Sequence, residues 1–435
     1  MPGDKRVQRR TKLKWVGVTA LSIAILFVIG SVILSNLTPK PKRLVEPVVV
    51  DYGLDDPRFA RSLGGTLPHP IVEGNQIEHI EGGEAIYAAK LEAIEEAEHS
   101  ITFEIFEFFG DTAAAAFADA LAEAAQRGVR VHALLDYVGS MPAEEEHLER
   151  MEEAGVEVIR WREPAWYQLP RFNHRTHRKL MVVDGAIGFT GGANVTDSWL
   201  PDDDEPGYRD HHFRFTGPVV GNMQGAFVEV WLEASGELLH GDAYFPELEP
   251  RGELPMQMVS SKPREGMHRI RMMFKYAIAA AWERITISSA YFYPDPSFLE
   301  ALIEAAERGV EVRILVPGDS IDYGFVRHAS VNRWRPMLEA GVEIYEYQPA
   351  MYHAKLITID DRWASVGSTN IDNRSFRINK EGNVNVYDEA FARYVRGLVE
   401  EDLDDAILYT VERWEERPWH KRLAGWVSSI AGAHY

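Results

Sequence analysis

The first apolar segment of the chain runs from Trp15 to Leu34 and contains no charged residue. About 20 residues of this kind are needed to span a bilayer as an α-helix. Six Lys and Arg residues precede the segment, and three more lie between residues 40 and 43. Because positive residues favour the cytoplasmic side, residues 1–43 are predicted to form a cytoplasmic basic tail and a single transmembrane anchor. The rest of the chain would then lie on the extracytoplasmic side of the cell membrane.

A cleaved signal peptide is the alternative interpretation of this segment. Its apolar run is longer than the roughly 7–15 residues of a signal-peptide core. In addition, no cleavage site of the A-x-A type follows in residues 35–38, which read SNLT. An uncleaved signal anchor is therefore favoured.

Beyond a proline-containing linker, strand-like apolar runs alternate with helix-like stretches. Alternation of this kind is typical of an α/β fold, in which helices cover a sheet. The order strand, helix, strand is predicted once in each half of the chain. The predicted elements are Ser100 to Phe109, Thr112 to Gln126 and Val129 to Leu135, and then Ile285 to Tyr293, Pro296 to Glu307 and Val310 to Val316.

Two short stretches recur in the same order in both halves. Residues 124–129 read AAQRGV and residues 305–310 read AAERGV, while residues 153–158 and 339–344 read EAGVEV and EAGVEI. A single match would carry little weight, because helix–turn–strand junctions are common in α/β proteins. Two matches in order predict an internal duplication, with a first lobe over residues 44–235 and a second lobe over residues 236–435.

Charge and composition narrow the possible functions. The formal net charge is −21, and because residues 1–43 carry nine basic residues and one Asp, the remainder carries −29. An acidic body disfavours a general nucleic-acid binder, which presents a basic surface. The absence of cysteine excludes thiol nucleophiles, disulfides and cysteine-ligated metals.

One polar motif occurs twice with identical spacing. An apolar run follows the lysine of each copy, which predicts a strand whose period of two places histidine and lysine on one face. A lone His-x-Lys would indicate only a solvated strand, but duplication favours a functional site. A metal site is the alternative, although each lysine supplies positive charge where a metal ion would bind. The two copies are His177, Lys179, Asp184, Gly191, Asn194 and His353, Lys355, Asp360, Gly367, Asn370.

These residue types suit a phosphodiester substrate, which is anionic and repels an attacking oxygen. Lys179 and Lys355, together with Asn194 and Asn370, would bind the non-bridging oxygens and stabilise the transition state. One histidine would attack phosphorus to form a phosphohistidine. The other would protonate the leaving alcohol and later deprotonate the acceptor.

The paired motif resembles the signature of the phospholipase D superfamily, and the wider sequence is similar to bacterial cardiolipin synthases. The similarity extends from about Ile86 to Arg417. It implies a duplicated phospholipase D-like α/β/α sandwich with two lobes around a pseudo-twofold axis. The sequence departs from the family pattern in its single N-terminal span and at Gly192, where a serine is common. Outside the paired residues, the similarity is carried by residues 173–179, 191–194, 208–211, 217–218, 291–295 and 370–376.

The resemblance also implies roles for individual residues. His177 would be the nucleophile, and His353 the general acid and base. Asp210 and Glu381 match the carboxylates that orient the two histidines. Ser368 matches a phosphate-binding hydroxyl, so Gly192 predicts that this hydroxyl is missing in the first half.

The motif aspartates, Asp184 and Asp360, are candidate catalytic residues as members of the motif. Each stands at the end of a predicted strand, however, and Asp is common in turns because its side chain bonds nearby backbone. A structural, turn-capping role is therefore favoured for both aspartates.

The two histidines are predicted to differ in protonation because their surroundings differ. His177 lies among Arg171, Arg175 and Arg178, and neighbouring cations favour a neutral imidazole. His353 follows an uncharged stretch, which would allow it to hold a proton.

The reaction implied by the resemblance is phosphatidyl transfer, in which two phosphatidylglycerols give cardiolipin and glycerol. Phospholipid would be the substrate and the membrane the partner, with neither a metal nor a cofactor. Hydrolysis to phosphatidic acid is the nearest alternative, because water competes with the alcohol for the phosphohistidine. A nucleic-acid phosphodiesterase is disfavoured by the acidic body, and an inactive lipid-binding scaffold by the two intact motifs.

Two aromatic-rich segments remain ambiguous. Residues 161–172, WREPAWYQLPRF, predict either a loop that covers the core or a contact with the membrane interface. Near the C-terminus, five apolar residues at helical spacing predict either an interfacial helix or a helix docked on the body. These residues are Trp419, Leu423, Trp426, Val427 and Ile430, with Lys421 and Arg422 on the opposite side.

Overall fold

The strands of both halves join in one mixed sheet of 15 strands in the computed structural model, which describes residues 48–163, 173–202, 206–261 and 268–430 and the isolated positions 15, 19, 22 and 30. The order across the sheet is β17-β12-β11-β9-β13-β14-β16-β8-β1-β7-β6-β5-β2-β3-β4. The strands are β1 Val72–Glu81, β2 Ser100–Ile105, β3 Arg130–Asp136, β4 Glu157–Trp161, β5 Leu180–Val183, β6 Ile187–Gly191, β7 His211–Thr216, β8 Leu254–Ser260, β9 Arg284–Ser289, β10 Phe292–Tyr293, β11 Glu311–Pro317, β12 Glu343–Tyr347, β13 Lys355–Ile359, β14 Trp363–Gly367, β15 Ile371–Asp372, β16 Gly382–Val386 and β17 Ala406–Tyr409; β10 and β15 pair separately.

Helices cover the sheet. Those of the first half are Pro57–Thr66, Gly83–Glu95, Ala113–Gln126, Glu145–Glu153 and Val219–Ser235. Those of the second half are Arg269–Ala279, Pro296–Glu307, Gly324–Val331, Arg335–Glu339, Asn373–Arg377, Glu389–Leu403, Val411–Glu415 and Trp419–Ile430. The predicted boundary between the lobes, at residues 235 and 236, falls at the end of the helix Val219–Ser235.

The two halves have the same topology over seven strands each, and β17 is added beside β12 in the second half. In the first half β2, β3 and β4 are parallel, and β5, β6, β7 and β1 continue in antiparallel pairs. In the second half β9, β11 and β12 are parallel, and β13, β14, β16 and β8 continue in antiparallel pairs. The antiparallel pair of β1 and β8 joins the halves. The predicted α/β class and the duplication are therefore confirmed.

One helix begins and ends at the predicted residues, Pro296–Glu307. Its N-terminus is fixed by Asp295, whose side chain accepts hydrogen bonds from the backbone N–H groups of Ser297 and Phe298. The strand predicted from Ser100 to Phe109 is shorter, because β2 ends at Ile105. The backbone beyond it leaves the ladder, and Phe108 forms an isolated bridge with Val195.

The two halves share a hydrophobic core. The helices Val219–Ser235 and Glu389–Leu403 contribute buried residues, among them Trp231 and Val395, to a cluster that also includes Met256 of β8. Residues Val48–Arg162 and His174–Tyr435 accordingly form one compact unit. Any side chain at the junction of the halves is therefore held by packing from both sides.

Within the described ranges, no helix is long and apolar enough to cross a membrane. The predicted anchor lies outside the described residues, apart from the isolated positions. Residues 164–172 of the aromatic-rich stretch also lie outside them.

Candidate active site

Both motif histidines lie where the two halves of the chain meet. Thr176, just before the first histidine, forms a parallel bridge with Lys380, and Tyr352, just before the second, forms one with Arg209. The backbone N–H of His177 donates to the carbonyl of Lys380 at 2.9 Å. In the same way, the N–H of His353 donates to the carbonyl of Arg209 at 2.7 Å. Each motif therefore runs beside the segment that precedes the predicted carboxylate of the other half.

This arrangement crosses the histidine–carboxylate pairs between the halves. Nδ1 of His177 lies 3.0 Å from Oε2 of Glu381, and Nδ1 of His353 lies 2.9 Å from Oδ2 of Asp210. Both carboxylates are fully buried, while the histidines are 7% and 4% exposed. Each carboxylate fixes Nδ1 as the bonded nitrogen, which leaves Nε2 of each ring for chemistry. The sequence identified all four residues but not which carboxylate binds which histidine.

The two lysines are also buried at this junction. Nζ of Lys179 donates to the carbonyl of His177 at 2.9 Å and lies 5.2 Å from the centre of the Phe106 ring. Nζ of Lys355 donates to the carbonyl of His353 and lies 3.1 Å from its Nε2. Lysine and histidine of each motif thus lie close together, although His177, Lys179 and His353 precede the strands on which they were predicted to lie.

Burial sets the protonation of the histidines. Burial lowers the pKa of His177 to about 4, against the opposing effect of Glu381. Burial and then the charge of Lys355 lower the pKa of His353 to about 3. Both imidazoles are therefore neutral at pH 7, and His353 is not the protonated ring that its uncharged local sequence predicted.

The arginines near the first motif do not account for the lowered pKa of His177. The main influences on the pKa of His177 are burial, Glu381 and Lys179. Arg178 points elsewhere and forms a buried ion pair with Glu104 at 3.1 Å. The local sequence was therefore a poor guide, since neighbours in the chain are not neighbours in space.

Burial also lowers the pKa values of the two motif lysines. Burial lowers the pKa of Lys179 to about 8 and that of Lys355 to about 7, although nearby carboxylates oppose this effect. An anionic phosphate between the lysines would favour their charged forms, because an opposite charge stabilises an ammonium. Substrate binding would therefore raise the positive charge of the site.

Ser368 supports a carboxylate and does not face the substrate space. Its hydroxyl donates to Oε2 of Glu381 at 2.5 Å and accepts from the N–H of Gly382 at 3.1 Å. The side chain is fully buried. The predicted phosphate-binding role of Ser368 is corrected accordingly, because its hydroxyl is already used to hold Glu381.

In the first half, Gly192 stands at the position of this serine, and Trp199 supplies the hydrogen bond to the carboxylate. A Cβ atom added at Gly192 would lie 2.3 Å from Oδ1 of Asp210, so the carboxylate occupies the space of a side chain. Asp210 accepts instead from Nε1 of Trp199 at 3.0 Å and from the N–H of His211 at 2.8 Å. Gly192 therefore does not remove a phosphate ligand; Trp199 takes over the support of the carboxylate.

Asp184 and Asp360 lie outside the reacting site. Each follows its motif strand in the left-handed region, with φ of 51° and 52°. Asp184 accepts from the backbone N–H groups of residues 98, 99 and 100, and Asp360 from those of residues 282, 283 and 284. Both carboxylates thus tie the far end of the motif strand to the backbone at the start of the neighbouring strand, β2 or β9. Their inclusion among the catalytic residues is corrected to the structural role that turn chemistry favours.

Asn194 is held by Glu107, a residue that the sequence analysis did not select. Nδ2 of Asn194 donates to Oε2 of Glu107 at 2.6 Å, and Oδ1 accepts from its N–H at 3.2 Å. Burial raises the pKa of Glu107 to about 7, against the effect of Lys179. In the second half, Oδ1 of Asn370 is buried without a hydrogen-bond partner. This amide oxygen can accept a hydrogen bond from a substrate hydroxyl, whereas a phosphate oxygen would need the Nδ2 donor of Asn370.

Tyr291 occupies the position in the second half that Glu107 occupies in the first. Its hydroxyl donates to Oδ2 of Asp322 at 2.5 Å. Burial raises the pKa of Asp322 above its usual range, against the opposing effects of the hydrogen bond from Tyr291 and the charge of Lys355. Alignment of β2 with β9 across the repeat would have identified both Glu107 and Tyr291 as residues that follow equivalent strands.

A second pair of contacts lies behind the crossed carboxylates. Nε of Arg209 donates to Oδ1 of Asp402 at 2.7 Å, and Nζ of Lys380 donates to Oε2 of Glu233 at 2.5 Å. Each acid is on a helix of the half opposite to its basic partner. These ion pairs fix the residues immediately before Asp210 and Glu381.

One group among the described residues has the composition of a metal site. Ligand atoms of His79, Glu81 and His211 lie within 4.8 Å of one another. They are already engaged, since Nε2 of His79 lies 2.8 Å from Nδ1 of His211 and Glu81 is paired with Arg209. Nε2 of His211 lies 3.2 Å from Asp402. A complete hydrogen-bond chain therefore accounts for this cluster.

The sequence matches known proteins over both halves. A family model described as cardiolipin synthase, PLD-like domain, matches residues 91–220 and 274–403. A cardiolipin synthase of Geobacillus kaustophilus is 34% identical over 381 residues, which cover 86% of this chain and 74% of the relative. The major cardiolipin synthase ClsA of Bacillus subtilis is 35% identical over 83% of this chain and 75% of its own length.

Solved structures agree with this assignment at the level of the fold. The crystal structure of phosphatidylserine synthase from Haemophilus influenzae aligns with a TM-score of 0.66 at 14% identity, covering 86% of this chain and 99% of that one. Identity this low supports a shared fold alone. The matched family model and the relatives that are 34% and 35% identical show that this chain belongs to the cardiolipin synthase family of phospholipase D-like proteins.

Proposed function

We propose that this protein is a cardiolipin synthase that transfers the phosphatidyl group of one phosphatidylglycerol to another and releases glycerol. The observation that carries the proposal is the pair of crossed, buried histidine–carboxylate contacts, with two buried lysines whose charges act on both histidines. The site has two imidazoles for covalent chemistry and two ammonium groups for an anionic phosphate. The named relatives support the choice of phospholipid as substrate.

In the first step, Nε2 of His177 attacks phosphorus, and the bond from phosphorus to the glycerol head group breaks. Glycerol leaves with a proton from His353, while Lys179 and Lys355 stabilise the charge on the non-bridging oxygens. Glu381 holds Nδ1 of His177 and stabilises the cationic phosphohistidine. The negative charge of the bound phosphate favours protonation of His353 and so opposes the effects of burial and of Lys355 on its pKa.

In the second step, the terminal hydroxyl of a second phosphatidylglycerol attacks the same phosphorus. His353 accepts the hydroxyl proton, with Asp210 stabilising the resulting imidazolium. The bond from phosphorus to His177 breaks, and cardiolipin is released. His353 has then regained the proton that it gave to glycerol, and His177 is again a neutral, unmodified imidazole.

The membrane is the expected location of this reaction, because both the substrate and the product are lipids. We propose that residues 15–34 anchor the chain in one pass and place the body on the extracytoplasmic side. The unequal distribution of basic residues around the span supports this orientation. Protease added to intact spheroplasts should digest the body and spare a cytoplasmic marker; full protection would reverse the orientation.

Product analysis of the purified full-length protein tests the function. With phosphatidylglycerol as the sole lipid, cardiolipin and glycerol should form in equal amounts. Phosphatidic acid as the main product would instead identify a hydrolase. A Lys179→Ala variant provides the matched inactive control, since it removes one of the two phosphate-binding ammonium groups.

A further inference from the structure

The C-terminal helix Trp419–Ile430 has an exposed apolar face. Trp419 is 75% exposed and Trp426 is 61% exposed, while Leu423 and Val427 are 50% and 53% exposed. Residues spaced by three and four positions lie on one face of a helix. A contiguous exposed apolar patch of this kind commonly marks an interaction site.

The opposite face of this helix is docked on the body. Gly425 is buried, and a Cβ atom added there would lie 2.8 Å from the carbonyl oxygen of His328, so only glycine permits this close approach. Just before the helix, Nε1 of Trp414 donates to the carbonyl of Val331 at 2.7 Å. Both residues contacted belong to the helix Gly324–Val331. The C-terminal helix is therefore held in place with its apolar face outward.

The apolar surface continues towards the active site. Tyr323 and Phe325, at the start of the supporting helix, are 48% and 46% exposed, and their ring centres lie 5.7 Å apart. The ring of Tyr323 in turn lies 6.2 Å from that of Tyr291. Tyr291 is bonded to Asp322, whose pKa is influenced by the charge of Lys355. A path of neighbouring residues thus connects the exposed surface to a lysine of the site.

The first half has an exposed apolar residue at the corresponding place. Met141 is 54% exposed and lies in the segment that follows β3, as Tyr323 lies in the segment that follows β11. The carboxyl ends of these parallel strands lie on the same edge of the sheet as the motif histidines. Apolar side chains are therefore exposed beside the site in both halves.

The charge around the C-terminal helix favours an anionic partner. Residues 417–435 contain three Lys and Arg and no Asp or Glu, in a chain whose net charge is −21. Lys421 and Arg422 of the same helix are exposed. Exposed tryptophan with flanking cations is the composition of helices that bind the interface of an anionic bilayer.

We propose that these residues form a membrane-docking surface that binds an anionic phospholipid bilayer and holds the opening of the site against its lipid substrate. The proposal rests on the proposed function and identifies how the body reaches that substrate. The membrane-docking surface consists of Tyr323, Phe325, Trp419, Leu423, Trp426 and Val427.

Fluorescence quenching tests contact with the bilayer directly. The full-length protein is reconstituted in phosphatidylglycerol vesicles whose acyl chains carry bromine, which quenches tryptophan within the bilayer. Part of the quenching should disappear in the Trp419→Phe/Trp426→Phe variant and persist in Trp282→Phe. Trp282 is a matched control, because it is 62% exposed but lies at the other end of the sheet, where its N–H donates to Asp360. Equal quenching in the wild type and the double variant would overturn the proposal.

Kinetics separate this proposal from the proposed function. The variant Trp419→Ser/Trp426→Ser should raise the apparent KM for phosphatidylglycerol in vesicles about tenfold or more and leave turnover of a water-soluble short-chain phosphatidylglycerol unchanged. Trp282→Ser should change neither value. Unchanged vesicle kinetics, an equal loss in both assays, or a variant-dependent change in oligomeric state would overturn the docking surface. Absence of cardiolipin from either substrate in the wild type would instead refute the proposed function.

Discussion

Nδ1 of His177 lies 3.0 Å from Oε2 of Glu381, although 204 residues separate the two in the chain. The reciprocal contact joins His353 to Asp210 at 2.9 Å. Neither half of the duplicated chain therefore contains a complete histidine–carboxylate pair of its own. The site depends on the junction of β1 with β8, which brings the halves together in one sheet.

Neutralising either carboxylate should impair the chemical step. Asp210→Asn and Glu381→Gln keep the size of the side chain but cannot stabilise an imidazolium. We expect each to lower kcat by roughly 10²–10⁴-fold with a smaller change in KM, as for other histidine-orienting carboxylates. Steady-state assays with phosphatidylglycerol would measure this loss, and a variant that retains wild-type kcat would contradict the crossed arrangement.

Asp184→Asn provides a matched control for these substitutions. Asp184 accepts three backbone hydrogen bonds at a turn remote from the histidines. The change should lower Tm, because charged acceptors of backbone N–H groups contribute about 1.5–3 kcal/mol each, while kcat of the folded protein is preserved. A loss of kcat without a loss of Tm would return Asp184 to the catalytic residues.

The sequence predicted the elements and the identity of the site residues well where local chemistry determines them. The helix Pro296–Glu307 follows from the Asp295 cap and the proline at its first position. The histidines and lysines of the motifs follow from spacing that is repeated in both halves. These signals lie within a few residues of the features that they specify.

Local sequence patterns did not predict which residues contact one another across the junction of the two halves. Ser368 matched a phosphate ligand, yet its hydroxyl is bonded to Glu381, because β14 and β16 are neighbours in the sheet. The protonation of His177 is governed by burial and by Glu381, while Arg178 is turned towards Glu104. The hydrogen-bond partners and the burial of these side chains depend on tertiary contacts, which cannot be inferred from neighbours in the sequence.

The outer ion pair of Arg209 with Asp402 should position the Asp210 carboxylate. Asp402 bonds to Nε of Arg209 and Nε2 of His211, the residues on either side of Asp210. Asp402→Asn should lower kcat roughly 10- to 100-fold, because a neutral amide makes weaker hydrogen bonds to Arg209 and His211 than the carboxylate does. Asp402→Glu should recover part of the loss and restore the wild-type pH profile. A change in Tm alone, with an unaltered pH profile, would assign Asp402 a purely structural role.

Activity should not depend on a divalent metal ion. Two lysines and two histidines already supply the positive charge and proton transfer that the reaction requires. Exhaustive treatment with EDTA, followed by metal analysis of the protein, should leave the rate of cardiolipin formation unchanged. Loss of turnover and its specific restoration by one divalent ion would show that Lys179 and Lys355 do not have the assigned roles. A parallel His79→Gln variant would show whether the cluster of His79, Glu81 and His211 is responsible.

The buried histidines should make stability fall in mildly acidic solution. The pKa values of His177 and His353 are about 4 and about 3 in the folded chain, against 6.5 as the ordinary value. Between pH 6.5 and 4 the unfolded chain therefore binds more protons, so the free energy of unfolding decreases as pH falls. The variant His177→Gln/His353→Gln should show a shallower decrease, by up to about 1.4 kcal/mol per pH unit for each histidine. Denaturant unfolding at several pH values would measure both slopes, and equal slopes would contradict the neutral state of the rings.

The two histidines should differ in whether they form a covalent intermediate, even though both rings are neutral at pH 7. Each has Nδ1 bonded to a carboxylate, so Nε2 of either ring could attack phosphorus. The family resemblance selects His177 as nucleophile, and His353 then protonates the leaving group. Either alanine variant should lose orders of magnitude in turnover, because one lacks the attacking group and the other the proton donor.

Trapping the intermediate distinguishes the two roles. With a substrate whose leaving group needs no proton, His353→Ala can still complete the first step but cannot activate the acceptor alcohol. A short pulse followed by acid quench and peptide mass spectrometry should then find a phosphatidyl adduct on the peptide that contains His177. His177→Ala should give no adduct under the same conditions. An adduct on His353 would exchange the two roles and leave the two-histidine mechanism intact, whereas the absence of any adduct in both variants would exclude the covalent intermediate.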